Sequence, residues 1–365
     1  MKKVAVWGPN RWCNFGDDLQ SLVFALHLKS IGCHPVVFQL EEGIAKENNL
    51  EVADTVDELL DGTNLCIIAG GALLTPLHPA KQWLKGDFRQ YERDFGDLHR
   101  GAKKYGTKFC AISMGGDGRM RNTWFWYSHH RTHFFRSPYF LDGTVRLEGD
   151  VEQMKQFGKQ FKYVPDCLFS LNRFVSVEQT GRKEAGEIVK IGFNFRERQI
   201  PPQFIKDIHA YAAQHNDIEF YFATTHMDKV IEKYGITYEY LPRKDTHNLK
   251  FMHYETPAQL TQFVADMDVF VASKLHLGLV GLLVGTPFIS YRGMGKARTF
   301  IKSIGGDAAI LDDDISFGEL IADGGLLRKP KEELMQLFDG GALQEMVDKS
   351  WEQYEFCSEI VANYA

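Results

Sequence analysis

The chain has 365 residues, too many for one ordinary hydrophobic core and suited to two domains. Apolar residues make up 44% and charged residues 25%, the balance of a globular protein. A net charge of −6 excludes a global basic field for nucleic acid, so any anion site must be a local basic cluster.

In chain order, "KKVAVWG" (2–8) reads as a short buried strand ending in glycine. Two lysines and the brief apolar run Val4–Trp7 predict no signal-peptide core. The stretch 17–32 has helical spacing, with Leu19, Leu22, Val23 and Leu26 on one face and Gly32 past the end. "HPVVFQL" (34–40), "NLCIIAGG" (64–71) and "YGTKFCAISMGG" (105–116) are further strands, and "VDELLDG" (56–62) is a short helix. Continuous Val/Ile runs separated by helices predict a parallel sheet covered on both faces. "GTVRLEGD", a helix near 150–158 and "FKYVPDCLFSL" close a first α/β unit. The polar stretch 177–187 carries two glycines and reads as a linker.

A second alternating series follows. "IVKIGFNFR", "IEFYFATT", "DVFVAS" (268–273) and "PFISY" are strands. "PPQFIKDIHAYAAQH", residues 256–267 and residues 276–284 are helices, and 341–364 forms a last helix. The fold class is α/β, two Rossmann-like domains facing across a cleft in a GT-B-like layout. The first spans 1–175 and the second 186–340, with 341–365 as a C-terminal helix. Ligands in such sheets bind beyond the carboxyl ends of the strands. The longest apolar stretch, 275–289, is broken by His276, Gly278, Gly281, Gly285 and Pro287 and does not read as a membrane span. Six scattered cysteines without a C-x-x-C pair predict free thiols and a cytoplasmic protein.

Lys274 and His276 interrupt the apolar segment "ASKLHLGLVGLLVGTPFISY" where a strand gives way to a helix. The first turn of a helix offers unpaired N–H groups and partial positive charge, and a lysine beside it makes an anion site. An imidazole there can exchange protons near neutral pH. Asn14, Gly16, Asp17 and Asp18 sit where a loop feeds a helix; the aspartates read as caps or as ligand contacts. Gly70 and Gly71 end another strand and permit close backbone approach. The stretch 123–140 packs eight aromatics, three histidines and two arginines into eighteen positions. It reads either as a buried insertion or, through Trp124 and Trp126, as a platform for sugar faces or a membrane interface. "LDDDIS" (311–316) and "HHRTHFF" do not make metal sites: the first reads as a solvated turn, the second lacks further ligands nearby.

The segment 267–305 resembles the signature of polysaccharide pyruvyl transferases: a strand, Arg-Leu-His, a small-residue helix, a Gly-x-Pro turn, a strand and a lysine in a loop. "NFGDDLQ" (14–20), "CIIAGGALL" (66–74) and 144–171, with its Asp-x-x-Phe-x-Leu block, agree in order. Lys274 stands where the family usually has arginine, and Ala69 replaces the first glycine of a triplet. The resemblance implies transfer of the enolpyruvyl carbons of phosphoenolpyruvate onto two hydroxyls of a sugar, as a cyclic ketal. His276 would match the family's proposed catalytic histidine. The donor's phosphate and carboxylate call for cations, with Lys274, Arg196, Arg292, Lys296 and Arg298 as candidates and Arg146 as a structural or ligand-binding residue. Asn14, Gly16, Asp17, Asp18, Gly70, Gly71, Trp124 and Trp126 would serve the acceptor, a polysaccharide precursor that can be lipid-linked, with peripheral contact to a membrane. No metal or other cofactor is required, and no nucleic acid is a partner. The alternatives are a nucleotide-sugar glycosyltransferase of the same layout and a non-catalytic binding module.

Overall fold

The computed structural model describes residues 1–75, 86–178, 188–195, 200–234, 246–293, 295–311 and 313–365, with the side chains of all these except 86–88 and 124. The chain divides into two compact units. The first comprises Met1–Cys13, Asp17–Ser170 and Val347–Ala365; the second comprises Asn14–Gly16 and Leu171–Met346.

In the first unit, β1 (Lys2–Trp7), β2 (Cys33–Phe38), β3 (Glu51–Ala53), β4 (Leu65–Ala69) and β5 (Lys108–Ile112) form one sheet in the order β3-β2-β1-β4-β5. All four pairings are parallel, as in Ala5 against Val36 and Cys66. The central strands are apolar on both faces: every residue from Leu65 to Ala69 is buried. β6 (Gly143–Val145) and β7 (Phe161–Tyr163) pair in parallel and bridge to the segment after β5 through Met114 and Val145. The helix Phe15–Ser30 follows β1, and Gly86–Tyr105 precedes β5.

The second unit repeats the pattern with β8 (Val189–Asn194), β9 (Ile218–Ala223), β10 (Leu249–Met252), β11 (Val269–Ala272) and β12 (Phe288–Ser290). Its order is β10-β9-β8-β11-β12, again parallel throughout. Both sheets therefore reverse their winding at the middle strand, β1/β4 in one and β8/β11 in the other, which is where such folds bind ligands.

The expected linker lies mostly outside the described residues. The tail, expected as one helix over 341–364, is two helices, Gly340–Ser350 and Glu352–Tyr364. Ser350 Oγ donates back to Val347 O at 2.8 Å, the kind of back-bond that bends a helix at its neighbour Trp351. All six cysteines are free, as their spacing predicted, and all are buried. Among the described residues, no helix is long and apolar enough to cross a membrane.

Candidate functional site

At the middle of the second sheet, the chain leaves β11 through Ser273 and enters the helix Leu275–Leu283 with Lys274 as its cap residue. Ser273 N–H donates to Asn194 O at 3.0 Å, which joins this turn to the end of β8. Gly278 lets the helix lie on the sheet: a Cβ there would come within 2.1 Å of the Phe288 ring on β12. Lys274 and His276 are thus fixed, half-buried, at the winding reversal.

The end of β9 supplies the neighbouring groups, Thr224, Thr225 and His226. Lys274 Nζ donates to Thr225 Oγ1. Burial and then the nearby Lys274 charge pull the His226 imidazole down to about 3, so it is neutral. Asn194 donates from Nδ2 to Ala223 O at 2.8 Å, while its Oδ1 is buried without a hydrogen-bond partner. His226 Nδ1 is likewise buried without one. These two atoms lie at the ends of neighbouring strands, β8 and β9.

The segment Asn14–Gly16 belongs to this unit. Phe15 N–H donates to Thr225 O at 2.9 Å, and Asn14 Nδ2 lies 3.0 Å from His226 Nε2. Asn14 also caps the helix that follows, accepting from Gly16 N–H at 3.1 Å. A Cβ on Gly16 would sit 1.8 Å from His276 Nδ1. Asn14 and Gly16, placed on the acceptor side by the sequence reading, therefore stand against the two histidines of the donor side. Neither His226, Thr225 nor Asn194 was picked out from sequence. The available signal was the polar run Thr-Thr-His after an apolar strand, the same signature that marked Lys274 and His276.

The remaining cations are arranged differently. Arg292 adopts a left-handed backbone (φ 48°) and donates from Nε and Nη2 to Asp313 O at 3.1 and 2.7 Å. Arg298 Nη2 bonds Asp313 Oδ1 at 2.8 Å. The structure thus brings Arg292 and Arg298 together on the "LDDDIS" turn. Lys296 lies on the same helix as Arg298, Gly295–Ser303. Arg196 lies outside the described residues.

In the first unit, Gly70 and Gly71 have positive φ, and Gly71 N–H donates to Gln20 Oε1 at 2.9 Å. Gln20 Nε2 donates to Asp166 Oδ1 at 3.1 Å, and Arg146 Nη1 to Asp166 Oδ2 at 2.7 Å. Burial opposes the Arg146 charge, but Asp166, with Asp17 farther off, holds it firmly protonated. Asp18 is fully buried, and Asp17 half-buried, in the first turn of the helix Phe15–Ser30.

Part of the aromatic stretch 123–140 is core. Phe134, Phe135 and Phe140 are buried, and Arg131 pairs with Glu92 while donating to Leu73 O at 2.8 Å. Trp126 is half-buried under the Arg121 guanidinium at 5.2 Å, beside the exposed Phe125; the Trp124 side chain lies outside the described ones. The His129 and His133 rings lie 3.9 Å apart and tilted by 42°, yet among the described residues no group of three or more His, Cys, Asp or Glu could hold a metal ion.

Residues 149–292 match the family model described as polysaccharide pyruvyl transferase, which supports both the resemblance and the transferase class read from the sequence. No curated protein matched the chain. Among solved structures, a putative UDP-N-acetylglucosamine 2-epimerase from Listeria monocytogenes aligns at TM-score 0.57 and 10% identity, over 99% of this chain and 96% of that one. An S. aureus MnaA–UDP co-structure aligns at 0.58 and 8%, over 98% and 97%. Anabaena Alr3699/HepE in complex with UDP and glucose aligns at 0.55 and 9%, over the full length of both. At such identities these likenesses show the fold alone, a GT-B-type pair of Rossmann-like units.

Proposed function

We propose, on the premise of the pyruvyl transferase match over 149–292, that this chain transfers the pyruvyl group of phosphoenolpyruvate to two hydroxyls of a sugar. The observation that carries the reading is the turn Lys274–Leu275–His276 at the winding reversal of the second sheet. It sets an ammonium, a helix N-terminus and an imidazole at one strand end. Phosphoenolpyruvate is small and bears a phosphate and a carboxylate, which suits a cation at a helix start.

The reaction balances without redox change. A proton is delivered to the methylene carbon, which becomes a methyl group, and the adjacent carbon is attacked by the first hydroxyl. That hydroxyl's proton replaces the one delivered. The second hydroxyl then displaces phosphate, which leaves with the remaining proton, and the ketal closes. His276 is assigned the proton transfers, a role that contributes roughly 10²–10⁴-fold. Lys274 stabilises the negative charge on the departing phosphate. A sugar hydroxyl pair is the acceptor; the exposed Phe125 beside Trp126 suits a lipid-linked one.

The test incubates purified protein with phosphoenolpyruvate or with nucleotide sugars, and with galactose- and mannose-type acceptors. Phosphate release together with a product heavier by a ketal-linked pyruvate is expected from phosphoenolpyruvate. Turnover with nucleotide sugars alone would overturn the reading.

A further inference from the structure

The contacts of Asn14–Gly16 give the segment a task beyond contact with a ligand. Its backbone is fastened to the end of β9 by the Phe15 N–H bond to Thr225 O and by a bridge between Asn14 and His226. The Phe15 ring is fully buried and meets Tyr254 edge-on at 5.8 Å. Thr225 is a shared node, since its carbonyl takes the Phe15 N–H while its hydroxyl takes the Lys274 ammonium.

The proton positions follow. Asn14 Oδ1 is committed to Gly16 N–H, which turns the amide NH₂ toward His226. His226 Nε2 must then accept, and a neutral imidazole that accepts at one nitrogen carries its proton on the other. Burial and the Lys274 charge keep that ring neutral. At His276, a Gly16 Cβ would stand 1.8 Å from Nδ1, 2.7 Å from Cε1 and 2.8 Å from Cγ, so Gly16 abuts the edge of the ring at Nδ1.

We propose that Asn14–Gly16 is the positioning segment of the donor site: Asn14 holds His226 as a neutral imidazole protonated on Nδ1. Gly16 covers Nδ1 of His276, so that His276 exchanges protons through Nε2. This deepens the reading above and rests on His276 as the proton-handling group. Asn14, Phe15 and Gly16 act through the histidines and Thr225 and need not touch the substrate.

The test is Gly16→Ala, studied in the full chain and in a His276→Ala background. The new methyl group must displace the imidazole or the segment, and misplacement of a reacting group by about 1 Å costs on the order of 10²-fold in rate. The expected result is a kcat lowered about 100-fold with the phosphoenolpyruvate dissociation constant within about threefold of wild type. Gly16→Ala should also lower Tm in the wild-type background and not with His276→Ala, which vacates the ring's volume. In nitrogen NMR at neutral pH, His226 should show a single Nδ1–H tautomer that is lost in Asn14→Ala. An unchanged kcat, an equal Tm loss in both backgrounds, or a His226 signal from the Nε2–H form or the imidazolium would each overturn the proposal. The Tm coupling and the tautomer need no substrate. Failure of the wild-type protein to bind phosphoenolpyruvate would therefore fell the donor reading, while these two readouts still decide the role of the segment.

Discussion

At the strand ends of the first unit the charges cancel. Arg146 lies 2.7 Å from Asp166, which also takes Gln20, and Gln20 in turn holds Gly71. At the strand ends of the second unit, Lys274 donates to the Thr225 hydroxyl, and Asn194 Oδ1 and His226 Nδ1 are buried without a hydrogen-bond partner. The strand order is the same in both sheets. The first edge carries a buried ion pair, and the second sets an ammonium and two imidazoles at a point where parallel sheets bind ligands. The lesson is that the same strand order can carry different polar chemistry at its carboxyl ends, a buried ion pair in one unit and an ammonium beside two imidazoles in the other.

The comparison breaks most sharply at His276. His276→Ala is expected to lower kcat by roughly 10²–10⁴-fold while phosphoenolpyruvate still binds, measured by phosphate release and by equilibrium titration. Near-wild-type turnover would remove His276 from its role. Next comes the closed edge of the first unit. Asp166→Asn leaves the Arg146 guanidinium buried without its counter-charge, and breaking such a pair costs about 3–5 kcal/mol. Denaturant unfolding should show that loss; a change under about 1 kcal/mol would mean that the pair is not a structural hub. Smaller still is Lys274→Gln, which should weaken phosphoenolpyruvate binding about 10–100-fold, the worth of a hydrogen bond to a charged group, with stability little changed. Lys274→Arg should restore most of that affinity, because charge matters at this cap position more than length.

How much of this was legible in the sequence depended on the range of the contacts. Buried strands such as "CIIA" and "VFVA" announce themselves as apolar runs, and the parallel pairing in both sheets follows from the alternation with helices. β3 and β10 were missed because they are short edge strands with mixed polarity, "EVA" and "LKFM". The helix Gly86–Tyr105 escaped because charged residues outnumber the apolar positions that carry its period, Tyr91, Phe95, Leu98 and Ala102. Lys274 and His276 were legible as polar residues at an apolar strand end. His226 shares that signature, but its meaning comes from Asn14, 212 residues away, and local periodicity cannot register such a pairing. The same distance hid the fact that the Asn-x-Gly block lies against the histidines. In the aromatic stretch, composition left a buried insertion and a platform open; the structure buries Phe134, Phe135 and Phe140, as the first requires, and uses Arg131 to hold the loop after β4.

The smallest effect separates the two units by pH. His226 is pulled below its usual range by burial and by Lys274, to about 3. In the unfolded chain it titrates near 6.5. Between those values the unfolded state binds a proton that the folded state refuses, so the group's contribution is complete above about pH 6.5 and is lost progressively as the pH falls. One proton corresponds to a slope of at most about 1.4 kcal/mol per pH unit. His27 in the first unit is also lowered by burial, although the Tyr354 backbone carbonyl raises it in part, so its contribution to the acid limb runs in the same direction. Replacing each by asparagine should therefore flatten stability between about pH 6.5 and 5, measured as the change in unfolding midpoint with pH, and His226→Asn should flatten it more. The absolute stability of each variant is immaterial, since only the slope is compared. Equal slopes in His226→Asn and wild type would show that the His226 ring carries a charge in the folded protein, and the contrast between a neutral imidazole and a charged lysine at this strand edge would fail.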